Sequence, residues 1–292
     1  MLPADLPRLT SRSRDTSKRD YGRVVVVGGA AGMAGAPALA AMAALKSGAG
    51  LVEALVPEQV AVIAAGFDPC VMTRGLPGRI HGTFATAALE EIAASAQRAD
   101  AVAVGPGLGR SDAIVQIVSY LWHHLPQPAV FDADALWVLA HSDRGSLAGH
   151  AGPRILTPHA GEMCRLLSVD PSSAEAGDRA MLEREAAALA QAIDAVIVLK
   201  GPATLIVDRT RQTHNVTGNP GMATAGTGDV LTGIIAAILA QQLAPFDAAH
   251  LAAWVHGRAG DHAAQSLGQI SMTARDLLER LHMAFREATA RG

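Results

Sequence analysis

The residues best placed to do chemistry lie in AGTGDVLTGIIAAILAQ, residues 225–241, where Gly226, Thr227 and Gly228 lead into Asp229 and then a stretch apolar nearly all round. A helix apolar on every side is buried, so its amino end points unpaired N–H groups from residues 226–228 into the crevice it faces. The helix dipole adds to their attraction for phosphate. Asp229 has a plain structural reading as a helix-start acid, worth up to about 1 kcal/mol. It also has a chemical one. A carboxylate beside a bound phosphoryl group can take the proton from an attacking hydroxyl while backbone donors stabilise the developing charge. Asp229 is therefore the catalytic-base candidate, and Gly226, Thr227 and Gly228 are the anion hole.

Other glycine-rich turns follow apolar runs: GGAAGMAG (28–35), GPGLG (105–109), KGPAT (200–204) and GNPGMATAGTGD (218–229). Loops leaving the carboxyl ends of parallel strands converge on one ligand crevice, and glycine lets backbone N–H groups approach an anion closely. Gly28, Gly32 and Gly35 do not give the dinucleotide spacing G-x-G-x-x-G, and no G-x-x-x-x-G-K-[ST] sequence occurs. Lysine stands only at positions 18, 46 and 200, so Lys200 directly after an apolar run is a functional candidate rather than a solvated strand end. Asp132 and Asp134 sit where paired carboxylates either orient a metal or water or close a turn. His159 is a ligand-contact candidate. Glu162 either caps the next helix or lies near a metal.

The elements that must position these residues alternate. Arg23–Val27 precedes Ala36–Ser47; Leu51–Val56 follows; Ala101–Val104 precedes Asp112–His124; then come Ala129–Phe131, Ile155–Thr157 and Ala195–Leu199. Runs such as VVVV and AVAV are apolar on both faces, as in central strands of a parallel sheet covered by helices. The expected fold is a three-layer α/β/α sandwich with a mainly parallel sheet. Thr204–Val207 and Thr213–Val216 flank DRTRQ as an antiparallel hairpin, and the chain beyond is helical. No linker, repeat or low-complexity block interrupts residues 23–292, which read as a single domain after a flexible extension, 1–22.

Half of the 292 residues are hydrophobic and 17% are charged, with 24 Lys plus Arg against 27 Asp plus Glu and a net charge of -3. That balance excludes a disordered chain and provides no global field for nucleic acid or an anionic membrane. Cys70 and Cys164 are too few and too far apart for a disulfide framework or a zinc cluster, and a reducing cytoplasm is expected. Residues 1–22 lack the apolar run of a secretory signal, and Val230–Leu239 is about half a bilayer span.

Taken in order, GPGLG, DADAL (132–136), TPHAGE (157–162), VLKGPAT (198–204) and GNPGMATAGTGDVLTGI (218–234) resemble the ADP- or ATP-dependent NAD(P)H-hydrate dehydratases of the ribokinase-like superfamily. The resemblance implies a ribokinase-like fold and repair of NADH hydrate and NADPH hydrate at the S-configured ring hydroxyl. A nucleotide, ADP more than ATP, phosphorylates that hydroxyl; Asp229 deprotonates it, and elimination of phosphate restores the cofactor. By the same resemblance Ala36, Gly107, His159 and Asp229 line the hydrate pocket. Lys200, Gly201, Pro202, Ala203, Thr204 and Gly228 contact the nucleotide, Mg2+ bridges its phosphates, and Glu162 lies near the ion. A homotetramer and a separate NAD(P)H-hydrate epimerase are also implied. Trp137 stands where relatives commonly carry Asn, Ala203 and Ala225 where glycine is frequent, and the first loop lacks a common aromatic. The alternatives are a vitamin or sugar kinase of the same superfamily, though related vitamin kinases typically carry Cys at the place of Asp229, and a non-catalytic nucleotide-binding regulatory protein.

Overall fold

In the run Arg23–Val27, Val24 and Val26 pack on one side of a sheet and Val25 and Val27 on the other, all four without exposed surface. Successive strand side chains point to opposite faces, so a strand apolar at every position belongs between two helical layers. The computed structural model describes all residues except 1, 2, 4, 81, 171–176 and 290–292; those positions of the expected extension and domain lie outside the described residues.

The first half of the chain runs β1 (Arg23–Val27), α1 (Gly35–Lys46), β2 (Leu51–Pro57), α2 (Glu58–Ala65), β3 (Met72–Leu76), α3 (Leu89–Ala96), β4 (Ala101–Val104) and α4 (Asp112–His124). Then follow β5 (Ala129–Phe131), α5 (Asp134–Ala140), α6 (Arg144–Leu147), β6 (Arg154–Leu156), α7 (Ala160–Leu167), α8 (Arg179–Ile193) and β7 (Val196–Leu199). The hairpin is β8 (Thr204–Val207) and β9 (Gln212–Asn215), and the chain closes with α9 (Thr227–Ala240), α10 (Pro245–Leu267) and α11 (Ala274–Thr289). The described strands form one nine-stranded sheet in the order β3-β2-β1-β4-β5-β6-β7-β8-β9, parallel through β7 and antiparallel across the last two pairings.

One face of the sheet packs against α1, α9, α10 and α11, the other against α3, α4, α5, α7 and α8. The strand order reverses between β1 and β4, which opens a crevice beyond their carboxyl ends. α9 is buried along its length after its first turn, as its apolar circumference requires.

The sixth strand begins at Arg154, one residue before the run expected from the sequence. Arg154 is 1% exposed and donates to the carbonyls of Trp122 at 2.8 Å, Gln127 at 3.0 Å and Leu125, so it caps the carboxyl end of α4 from inside the protein. β3, which carries an exposed Met72 and a glycine, has no apolar run and went unread in the sequence. In the segment before β1, Leu6 is buried in the core on the α1 side, and Arg12 donates to the Gly48 carbonyl at 2.6 Å.

Candidate active site

The loops after β1 and β4 close on each other at the strand-order reversal, where the Gly29 N–H donates to the Pro106 carbonyl at 2.9 Å. Gly107 has φ +59, and a Cβ there would lie 2.8 Å from Met33 Cβ and 3.2 Å from Ala36 Cβ. Ala36 and Gly107, expected to share a pocket, are thus side by side, and only glycine allows the approach.

A charge cluster lies beside them. Lys200, one residue past β7, places Nζ 2.8 Å from Asp132 Oδ1 and 3.6 Å from Glu162 Oε2. The second Asp132 oxygen accepts from Thr232 Oγ1 at 2.7 Å, a bond from the second turn of α9 to the end of β5. Burial alone would raise the Asp132 carboxyl, but Lys200, Thr232 and Thr157 hold it below the ordinary carboxylate range. Burial would likewise lower the Lys200 ammonium; Asp132 and Glu162 hold it above its usual value. The pair is therefore ionised. It explains why the lone lysine after an apolar strand ends in the interior rather than in water.

α9 starts against this cluster. Gly226 takes φ +91, and a Cβ on it would meet Leu39 Cδ1 at 2.7 Å and Ala274 Cβ at 3.0 Å. The Thr227 hydroxyl turns back into its own loop and donates to the Met222 and Thr224 carbonyls, both at 2.9 Å, so its contribution to an anion hole is its backbone N–H. A Cβ on Gly228 would stand 3.4 Å from Lys200 Nζ, which puts the helix start and the ammonium together. Asp229 follows. Burial first, and then the negative charge of Asp132, push its carboxyl up to about 7, against the opposing pull of Lys200. A carboxylate that gains and loses its proton near neutral pH, next to helix-end N–H groups, is equipped for general-base work on a phosphoryl acceptor.

His159 and Glu162 form a reciprocal cap on α7: the Glu162 N–H donates to His159 Nδ1 at 3.2 Å, and the His159 N–H donates to Glu162 Oε2 at 2.8 Å. Both also line a cleft of about 280 Å3 with Arg110, Asp134, Trp137 and Arg165. Of the two readings of Glu162, the helix cap is the one seen here, and its side chain also lies 3.6 Å from Lys200. Asp134 accepts from the Gly109 N–H at 2.9 Å and so fixes the GPGLG loop.

Gly201, Pro202, Ala203 and Thr204 continue from Lys200. Their loop is held by Arg179, whose guanidinium donates to the carbonyls of Leu199, Lys200 and Ala203 at 3.1–3.3 Å. Ala203 sits at φ +53, a conformation glycine adopts freely and alanine does not. Three contributors escaped the sequence reading: Arg179, Thr232 and His256, whose Nε2 lies 2.8 Å from the Thr227 carbonyl. None carries a local spacing signal, since each acts on a residue that is near only after folding.

Comparison with known proteins adds family context. The family model for NAD(P)H-hydrate dehydratase matches residues 24–283. A bifunctional NAD(P)H-hydrate repair enzyme of Moorella thermoacetica is 46% identical over 97% of this chain and 52% of its own length, so the chain spans about half the length of that relative. An ADP-dependent (S)-NAD(P)H-hydrate dehydratase of Neisseria meningitidis is 39% identical over 88% of this chain and 82% of its own. Among solved structures, the ADP/ATP-dependent NAD(P)H-hydrate dehydratase of Bacillus subtilis, co-crystallised with ATP and Mg2+, superposes with a TM-score of 0.81 at 28% identity, over 96% of this chain and 94% of that one. A ribokinase-like superfamily protein from Enterococcus faecalis superposes with a TM-score of 0.79, also at 28% identity, over 96% of this chain and 92% of its own.

Proposed function

Because this chain belongs to the NAD(P)H-hydrate dehydratase family, we propose that it repairs hydrated NADH and NADPH, taking the S form and using a nucleotide to drive the loss of water. The observation that carries the reading is the position of Asp229: first turn of a buried helix, beside the N–H groups of residues 226–228, with a carboxyl at about 7. In this reading Asp229 accepts the proton of the ring hydroxyl as its oxygen attacks the terminal phosphorus of the nucleotide. The amides of Gly226, Thr227 and Gly228 take the charge that develops on the transferring group. The carbon–oxygen bond then breaks, phosphate leaves, and the adjacent ring carbon gives up a proton as the double bond re-forms.

Ala36, Gly107 and His159 would border the hydrate, and the loop 200–204, braced by Arg179, would hold the nucleotide together with Gly228. Lys200 keeps Asp132 ionised, and the fixed charge at Asp132 in turn raises Asp229. ADP is the favoured donor, a choice supported by the name of the Neisseria relative. Among the described residues no group of three or more His, Cys, Asp or Glu is arranged to hold a metal. Mg2+ carried in on nucleotide phosphates keeps its waters and needs only one or two carboxylates. Glu162 is the side chain we assign to those waters; the ion would neutralise phosphate charge.

The bifunctional name of the longer relative supports a second repair activity working beside this one, which we assign to a separate epimerase. The same proposal extends to a cytoplasmic homotetramer. No helix among the described residues is long and apolar enough to cross a membrane. The test mixes purified protein with Mg2+, hydrated NADH and either ADP or ATP, following the return of reduced-nicotinamide absorbance together with phosphate release. Recovery that requires nucleotide is expected. A stable phosphorylated product from a vitamin or sugar hydroxyl, without recovery from the hydrate, would replace the dehydratase with a kinase.

A further inference from the structure

The cleft at the carboxyl ends of β5 and β6 is lined by two arginines that the chemistry above does not use, beside the carboxylates of Asp134 and Glu162. Arg110, three residues past Gly107, is held in place twice. Its guanidinium lies 5.1 Å from the centre of the Trp137 ring, and its Nε lies 3.3 Å from Asp134 Oδ1. Trp137 is itself packed against His141, ring centres 4.4 Å apart, and Asp134 is tied to the Gly109 N–H. A flexible surface arginine has thus been fixed by a stack and an ion pair, with Asp134 engaging only Nε and leaving the terminal nitrogens for another acceptor. Arg165, on α7, lines the same cleft. Two guanidinium groups around one cavity match a phosphate diester or diphosphate, whose oxygens accept paired N–H bonds.

The geometry points to a two-arginine clamp, Arg110 and Arg165, for the diphosphate of the dinucleotide substrate, so that the enzyme selects dinucleotide hydrates over mononucleotide ones. This subsite rests on the dehydratase reading of the neighbouring residues. Its position assigns it to the substrate rather than to the phosphoryl donor. Arg110 leaves the same loop as Gly107, and His159 lines the cleft, whereas the donor loop 200–204 follows β7 and is braced separately by Arg179. Trp137 is the part of the clamp that stations Arg110.

Calorimetric titration of the full-length chain, saturated with ADP, with NAD+ and with nicotinamide mononucleotide tests the clamp without relying on turnover. NAD+ is expected to bind at least about tenfold more tightly than the mononucleotide. Replacing both arginines, R110A with R165A, should remove most of that advantage, W137N should remove part of it, and the ADP affinity of the variants should hold. Failure of the wild-type protein to bind NAD+, equal affinity for the two ligands, or an unchanged advantage in the double variant would overturn the clamp. A double variant that loses ADP instead would overturn it too, placing the arginines on the donor. Turnover of the hydrate is a separate readout: its absence in the wild-type protein removes the dehydratase reading, while the NAD+ titration still decides the clamp.

Discussion

His256, on α10, donates from Nε2 to the Thr227 carbonyl at 2.8 Å, and so ties the helix behind the site to the first residue of α9. Burial, with the nearby Lys200 charge, lowers the imidazole to about 4, so the ring is neutral throughout the working range and acts as a fixed donor rather than an acid. His256→Phe removes the donor and keeps the ring. It should lower kcat by about tenfold with an intact circular dichroism spectrum, and His256→Gln, which restores an N–H, should recover part of that loss.

In the proposed role, Asp229 sets the acid limb of the rate. As a base it must be ionised, so kcat/KM should rise with pH through about 7 and level above it. Asp229→Asn should cut turnover by orders of magnitude while ADP still binds. The same shift has a stability sign. The folded state holds the Asp229 proton up to about 7 and the unfolded chain releases it near its ordinary value, so stability falls as pH rises between the two. Above pH 7 the ionised carboxylate opposes folding, by up to about 4 kcal/mol. The Asn variant should therefore melt several degrees above the wild type at pH 8 and show little gain at pH 4. A melting difference that does not depend on pH would remove the burial argument for Asp229.

Lys200→Met leaves Asp132, 2% exposed, without its counter-ion. Breaking a buried pair from one side typically destabilises by about 3–5 kcal/mol, readable as a lower urea midpoint. In whatever folded fraction survives, the buried Asp132 is free to take up a proton, which removes the larger of the two charges acting on Asp229, so the acid limb should shift to lower pH.

Gly233 is where α9 crosses α1. A Cβ there would stand 2.0 Å from the Ala40 carbonyl oxygen and 2.8 Å from Ala43 Cβ. Alanine is the better helix former by about 1 kcal/mol, but overpacking against backbone outweighs that gain. Gly233→Ala should be less stable by about 1–3 kcal/mol, measured by chemical denaturation.

Much of the frame could be read from the amino acids because it is written in local patterns. The four-valine run of β1, the AVAV of β4, the DRTR turn between the hairpin strands and the apolar circumference of α9 each declare themselves within a few residues. The edge strand β3 does not, because a strand with one neighbour, an exposed Met72 and a glycine has no two-faced core to display. In the site, Asp132 and Lys200 were each noticeable alone, but their partnership was not, and neither was the role of Thr232. Arg154 carries no signal in the sequence; its guanidinium donates to carbonyls at the end of α4, and no spacing along the chain foretells those bonds.

The Asp132–Lys200 ion pair joins positions 68 residues apart, and the Thr232–Asp132 bond spans 100. At about 5–20 residues per second of synthesis, Asp132 emerges roughly 3–14 s before Lys200. During that interval the end of β5 carries a carboxylate that is expensive to bury and has neither counter-ion nor donor. The centre of the sheet cannot settle around it until the lysine and then α9 arrive. Ribosome-bound chains stopped between these two positions are therefore the ones most exposed to proteases and chaperones.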